Sequence, residues 1–346
     1  MKIAYIIPSL VNKGPIVVVK NLVDNIINTE HQVDVYYFDE LPAMKFQCTT
    51  KRISMSKPIN FDDYDIIHSH CLRPDIYVAK WRHRIKRAKI VTTLHQDIYK
   101  DFCFQYNSIL SYSLTLFWSH ILSKFNHVVC ISKLLENNYK NKIKAPLTTI
   151  YNGCAIQNYN TIAKDIHDNI IKLKSNYRIL GTFAVVTKRK GLGQVIKALN
   201  TLKEYAFIII GDGPDVENLK SLSKSLNLSN RVIFLPYQRD PFSFLPYFDI
   251  YIMASYSEGF GLAMVEAALA EKPIVCSNIP SFHEIFNDAE ACFFELDNIE
   301  SLSKAITKSY NNKEEYGKNA KRRAENTFTA SKMTENYLEF YKNIIR

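Results

Sequence analysis

No Cys-x-x-Cys pair occurs among the seven cysteines, and their number is odd. A disulfide framework and a thiolate zinc site are therefore disfavoured, and unpaired thiols fit a reducing, cytoplasmic setting. No secretory leader is visible. The start, MKIAYIIPSL, reaches Pro8 after one short apolar run, which suits a first strand. No short-period repeat and no low-complexity tract interrupts the chain. No cluster of His, Cys, Asp or Glu has the spacing of a metal site.

Two absences are local. KWRHRIKRAK (80–89) has six Lys/Arg and no acid. It reads as a solvated helix face with Trp81, Ile85 and Ala88 turned to the core, or as a patch facing something anionic. FCFQYNSILSYSLTLFWSHILS (102–123) has no Asp, Glu, Lys or Arg. It is long enough to span a bilayer, yet its Ser, Thr, Asn, Gln and His make it too polar for a convincing span. A long core helix is expected there, with an interfacial membrane helix as the alternative.

What is present suits a soluble two-domain chain. The 346 residues are 47% apolar and 23% charged, ordinary for a globular protein with a sizeable core. The net charge of +10 is uneven. Residues 1–158 carry 20 Lys/Arg against 12 Asp/Glu, whereas 159–346 carry 24 against 22. The first half is expected to face an anionic partner: a lipid surface, nucleic acid or a phosphorylated substrate.

Short β-branched or aromatic runs alternate with longer helical segments. They are 2–8, 32–38, 65–70, 89–95, 127–132 and 147–153, then, after a polar stretch at 155–177 read as a linker, 178–186, 205–213, 231–237, 248–255 and 272–278. This alternation predicts two doubly wound α/β domains in tandem, each with a parallel sheet. The boundaries are expected at 1–158 and 159–330, with a last helix at 331–346.

In such sheets ligands bind beyond the carboxyl ends of the strands. Those ends carry a consistent set: Gly14 after the first strand, His95 after 89–94, Lys188-Arg189-Lys190-Gly191 after 178–186, Gly211-Asp212-Gly213-Pro214, and Glu258-Gly259-Phe260-Gly261. The last opens a helix, whose N-terminus suits an anion. A diphosphate between the Lys-Arg-Lys-Gly and Gly-Phe-Gly loops is the natural ligand. Glu266 stands alone inside Leu-Ala-Met-Val-Glu-Ala-Ala-Leu-Ala, where a buried carboxylate needs a hydrogen-bond partner. It is either a structural ion or an acceptor for a vicinal diol such as ribose. Diphosphate, ribose and a further hydroxylated unit facing Glu258 make up a nucleotide sugar.

These residues resemble a known family over nearly the whole chain: the retaining glycosyltransferases of the GT-B fold, family 4 type, also called glycosyl transferases group 1. The most specific piece is EGFGLAMVEA (258–267), followed by KPIVCSNIPSFHEI; DIIHSH, TLH, IYNG, RKG, IIIGDGP and VIFLPY support it by order and spacing. The resemblance implies two Rossmann-like domains facing across a cleft, an acceptor-side N-terminal domain and a nucleotide-sugar-binding C-terminal one. The last helix would cross back to the first domain.

By resemblance, Glu258 binds hydroxyls of the transferred sugar and Glu266 holds the ribose. Phe260, Gly261 and Leu262 clamp the diphosphate through their backbone and Lys190 holds it as it leaves; Gly259 and Arg189 are further candidates, with Arg189 or Lys188 standing in for an arginine usual in the family. His95 lies near the reacting carbon, and Gly14 belongs to the N-terminal loop. The expected donor is a nucleoside-diphosphate sugar and the expected acceptor a lipid-linked saccharide in surface-polysaccharide assembly (O-antigen, capsule or lipopolysaccharide). The expected location is cytoplasmic, on the inner membrane face. No metal or other cofactor is expected, and no nucleic acid. Asp63-Tyr64-Asp65 spells the D-x-D of metal-dependent transferases but lies before its strand, at the wrong end of the sheet.

Two positions depart from the family pattern. The arginine usual five or six residues before the lysine is replaced by Val185 and Ala184. The paired glycines of the N-terminal loop are reduced to Gly14-Pro15. Rival readings are a nucleotide-sugar epimerase or sugar phosphorylase on the same fold, and a non-catalytic basic nucleic-acid-binding protein.

Overall fold

The structure, a computed structural model, describes residues 1–41, 44–156 and 159–346. The chain divides into two compact units: Met1–Ala155 with Phe328–Arg346, and Ile156–Thr327. The expected boundary at 158 lies outside the described residues.

In the first unit the strands are β1 (Lys2–Ser9), β2 (Gln32–Asp39), β3 (Thr49–Arg52), β4 (Ile66–His70), β5 (Lys89–Leu94), β6 (His127–Cys130) and β7 (Leu147–Thr149). They form one sheet in the order β3-β2-β1-β4-β5-β6-β7, with every pairing parallel. Ile3 through Ile7 are fully buried, because helices cover both faces of the central strand. At the edge, β3 is exposed throughout, and its Lys51 and Arg52 discourage further strand pairing.

The helices of this unit are α1 (Gly14–Ile26), α2 (Leu72–Trp81), α3 (Ile98–Cys103), α4 (Ser108–Leu122) and α5 (Lys133–Tyr139). Two expectations change here. The basic stretch 80–89 is not one helix: α2 ends at Trp81, a short turn covers Arg82–Arg84, and β5 begins at Lys89. Only Ala88 of the three expected core residues is buried; Trp81 and Ile85 are half-covered. Nor is 102–123 one core helix. It breaks between Cys103 and Ser108, where Asn107 caps α4 by accepting from the Leu110 N–H.

The second unit repeats the plan with β8 (Arg178–Phe183), β9 (Tyr205–Ile210), β10 (Val232–Leu235), β11 (Ile250–Met253), β12 (Ile274–Ser277) and β13 (Cys292–Phe294). Their order is β10-β9-β8-β11-β12-β13, again all parallel. The helices are α6 (Lys164–Lys174), α7 (Leu192–Ala198), α8 (Val216–Ser225), α9 (Leu262–Leu269), α10 (Pro280–His283), α11 (Ile299–Asn311) and α12 (Lys313–Thr327). The stretch read as a linker at 155–177 thus contains α6, whose Ile170 is buried. Both units are Rossmann-like: the strand order reverses direction between β1 and β4, and between β8 and β11.

The last helix, α13 (Ala330–Ile345), belongs to the first unit. A parallel bridge ties it in: the Cys154 N–H donates to the Phe328 carbonyl (2.9 Å) and the Ala330 N–H to the Cys154 carbonyl (2.8 Å). Met333, Tyr337 and Tyr341 enter the core. The Tyr341 hydroxyl meets His68 Nδ1 at 2.5 Å and the Tyr5 hydroxyl at 3.1 Å. The Tyr337 hydroxyl meets Thr93 Oγ1 at 3.0 Å, and Thr93 Oγ1 meets His68 Nε2 at 2.8 Å.

Candidate active site

The second unit places its charges where the topology calls for a ligand, past the carboxyl ends of β8 and β11 at the switch point. After β8 the chain runs to a turn at Lys188–Lys190 that ends in Gly191, at φ 61°. A Cβ at 191 would lie 2.1 Å from the Ala254 carbonyl oxygen, so only glycine lets this turn pack onto the end of β11. The Tyr256 N–H donates to the Arg189 carbonyl (2.8 Å), and Arg189 Nη1 donates to the Ser257 carbonyl (2.7 Å). These bonds fasten the two loops together.

Glu258 is the centre of the assembly. Lys190 Nζ donates to its Oε1 at 2.6 Å, Ser255 Oγ to the same oxygen at 2.8 Å, and Arg189 Nη1 lies 3.2 Å from Oε2. Burial alone would push the Glu258 carboxyl up. The Lys190 ammonium and Arg189 guanidinium outweigh burial and hold it below the usual range. Two cations therefore share one carboxylate, leaving a net positive charge at the loop.

Just beyond, Gly259, buried Phe260 and Gly261 turn the chain into α9. Gly261 caps the helix at φ 106°, a conformation side chains resist, and the first turn of α9 has no acid to repel an anion. Leu262 opens the helix and Glu266 follows one turn later. The Glu266 carboxyl is half-covered, and among the described residues it has no hydrogen-bond or ion-pair partner. Burial pushes it up to about 8. A carboxyl so placed lacks donors, and a diol would supply two.

The loops after β8, β9 and β10 are joined as well. The Val186 N–H donates to the Asp212 carbonyl (2.9 Å), and the Asp212 carboxylate accepts from the Tyr237 N–H (2.9 Å). Asp212 thereby sets the turn after β10, where Tyr237 stands exposed.

In the first unit, His95 and Gly14 lie past the carboxyl ends of β5 and β1. Gly14 is exposed and opens α1, with Pro15 in the first turn, where a missing N–H costs nothing. His95 Nε2 lies 2.8 Å from His70 Nδ1, and burial pushes the His95 imidazole down to about 3. His70 is buried, stacks on His68 at 4.4 Å between centroids, and its Nε2 has no hydrogen-bond partner among the described residues. Both rings are neutral at physiological pH, burial being the main cause. His68 and His70 thus differ. His68 is held in the Tyr341–Thr93 network, while His70 touches His95 directly. The signal was available in His-x-His on a strand, which puts both rings on one face.

The tract Asp63-Tyr64-Asp65 does lie at the amino end of β4. Its Asp65 accepts from the Lys2 N–H (2.9 Å) and from Arg87 (2.6 Å), and Tyr64 donates to Asp34 (2.7 Å).

Strand order, switch-point loops and the Glu258–Glu266 pair together define a GT-B glycosyltransferase, and the chain belongs to that family. Residues 163–327 match the model "Glycosyl transferases group 1" and residues 13–157 the model "Glycosyltransferase Family 4". Among individual relatives, the Escherichia coli O-antigen biosynthesis glycosyltransferase WclY is 32% identical over 100% of this chain and 99% of its own. The Escherichia coli UDP-Gal:alpha-D-GlcNAc-diphosphoundecaprenol alpha-1,3-galactosyltransferase is 23% identical over 85% of this chain and 79% of its own. Anabaena HepE, solved with UDP and glucose, shares the fold with TM-score 0.82 at 20% identity over 99% of both chains.

Proposed function

We propose that this glycosyltransferase takes a sugar from a nucleoside-diphosphate sugar and adds it, with retention of anomeric configuration, to a lipid-linked saccharide. The setting is surface-polysaccharide assembly at the cytoplasmic membrane face. The observation that carries the donor half is the Glu258–Lys190–Arg189 cluster beside the start of α9, with Glu266 one turn further on. Two relatives support the rest: an O-antigen biosynthesis glycosyltransferase and a galactosyltransferase named for a diphosphoundecaprenol acceptor. HepE structures with UDP and UDP-glucose make a uridine nucleotide the first donor to try.

The chemistry follows from the residues. An incoming diphosphate meets Lys190, Arg189 and the amide end of α9. Arg189, already on the same carboxylate as Lys190, replaces the cation missing at Val185 and Ala184. As the cations turn to the diphosphate, Glu258 is freed to accept from sugar hydroxyls. Cleavage of the bond from the anomeric carbon to the diphosphate puts charge on the leaving oxygen, which Lys190, Arg189 and the helix amides stabilise. The acceptor hydroxyl attacks the face the diphosphate leaves, and its proton passes to the departing phosphate. Glu266 accepts from the ribose diol. The family resemblance assigns neutral His95, which contacts His70, to the reacting carbon. No metal is needed in this scheme.

The test is donor turnover with UDP-, GDP- and ADP-sugars in the presence of diphosphate-linked lipid saccharides. Release of one nucleoside diphosphate, dependent on acceptor, is expected. Interconversion of the donor without acceptor would instead make the chain an epimerase. Absence of both turnover and nucleotide binding would end the proposal.

A further inference from the structure

Helix α4 is built inside out. Its buried stripe is Ser111, Thr115, Trp118, Ser119, Ile121 and Leu122. Its outward face carries Ile109, Leu110, Tyr112, Leu116 and Phe117, with Ile109 80% exposed, and Ser113 and His120 lie among them. Phe104 and Tyr106 in the preceding turn are exposed too. A helix on water shows the reverse arrangement.

Internal bonds hold this orientation. The Ser111 and Thr115 hydroxyls donate to carbonyls of the same chain segment, Asn107 (2.8 Å) and Ser111 (2.7 Å), which satisfies these two buried groups. Trp118 Nε1 donates to Asp75 Oδ2 (2.9 Å), and Asp75 Oδ1 accepts from Ser69 (2.7 Å) and Thr92 (2.6 Å). Rolling α4 to hide its apolar stripe would pull Trp118 from a fully buried carboxyl. The apolar face is therefore fixed outward, and a contiguous patch of this kind marks a contact surface.

What covers it is indicated by charge. Residues 102–123 contain no charged side chain, and Lys124 follows directly. Lys124 lines a cavity of about 650 Å³ with Arg82, Lys86, Arg87 and Lys89. Only Arg87 of these has an acidic partner among the described residues, Asp65. The basic cavity adjoins the carboxyl end of α4, and from Phe117 to Lys124 is about 10 Å at 1.5 Å per residue. An apolar surface with cations beside it matches a membrane with anionic headgroups. Among the described residues no helix is long and apolar enough to cross a membrane. The contact is thus one of lying on the surface.

We propose that α4 and the turn at 104–107 dock on an anionic lipid bilayer, with the cavity at 82–89 and Lys124 over the headgroups. The chain passes from β5 through His95 and α3 into α4, so the apolar stripe starts at the sheet end that holds His95. The docking rests on the lipid-linked-acceptor reading for its purpose, but its test is independent of catalysis.

The full-length chain is floated with phosphatidylglycerol-containing vesicles and with pure phosphatidylcholine vesicles, at low and high salt. Nucleotide binding is measured on the same samples. Flotation with the anionic vesicles, released by salt, is expected. Ile109→Glu with Leu116→Glu should abolish it and leave UDP binding and melting unchanged. Arg82→Glu with Lys86→Glu should weaken it at least tenfold, at about fivefold per basic side chain near an anionic surface. Equal flotation with neutral vesicles, or none with either, overturns the proposal. So does a concentration-dependent dimer that ignores vesicles and is lost in the Ile109→Glu, Leu116→Glu variant, because a second copy would then be the cover. Loss of UDP binding in the parent with flotation intact would count against the donor site alone.

Discussion

The two units share a strand order but build their sites differently. The second joins opposite charges from two loops: Lys190 and Arg189 each lie within 3.2 Å of Glu258, and Glu266 follows on the next helix. The first joins neutral groups: His70 meets His95 from the ends of two neighbouring strands, and His68 meets Tyr341, 273 residues away. A site for a highly charged leaving group needs cations held ready. A site for sugar hydroxyls needs shape and fixed hydrogen-bond directions, which buried neutral rings provide without ionic cost.

The sharpest break in this comparison is Lys190→Ala. Loss of one cation from the leaving diphosphate should cut turnover about 10²- to 10³-fold, read in single-turnover assays with saturating donor. A loss under threefold would mean the charges of the second unit do not carry the reaction.

Next is the glutamate pair. Glu266→Ala should weaken bare nucleoside diphosphate about 10- to 100-fold, the loss of charge-assisted hydrogen bonds worth about 1.5–3 kcal/mol. Glu258→Ala should leave that affinity nearly unchanged and lower turnover. Calorimetric titration of both variants decides it, and the reverse result would exchange their roles. The same group predicts a pH dependence. In the free chain Glu266 titrates near 8, and a diol donating to it prefers the ionised form. Nucleotide affinity should therefore rise from about pH 7 to about pH 9, above the phosphate's own titration. Glu266→Gln should flatten that rise.

A smaller effect sharpens the other side. Tyr341→Phe leaves buried His68 Nδ1 without a partner and should cost about 1–3 kcal/mol of stability. Calorimetry should show the first unit melting earlier, with nucleotide affinity in the second unchanged. The smallest effect is expected from chelation. Turnover should survive excess EDTA, and complete loss restored by Mg²⁺ would return attention to Asp63 and Asp65.

The same contrast decides how much was legible beforehand. Interior strands such as β1 and β9 are continuous apolar runs because both faces are buried, so they stand out. The exposed edge β3, Thr-Thr-Lys-Arg, has no such pattern, and β13, Cys-Phe-Phe, is apolar but too short to stand out. The donor-side residues are local motifs, and Glu266 announces itself as one charge in an apolar run. The His70–His95 contact and the Asp75 network depend on which strands lie side by side, which local spacing does not encode. α4 misled because its periodicity is real but inverted: the hydroxyl stripe is the inner one, so an apolar helix read as core faces out.

The bridge at Cys154 and the two tyrosines of α13 have a consequence in time. During synthesis the first unit emerges first, yet residues that complete its core, Tyr337 and Tyr341, come only after the whole second unit. The second unit is contiguous, from Ile156 to Thr327, and has all its strands before α13 leaves the ribosome. The nascent chain therefore holds an incomplete N-terminal sheet, with His68 and Thr93 lacking their tyrosine partners, while the later-made half closes. Domains usually finish in the order they are made; here the order is reversed, and the first unit stays open until α13 has been made.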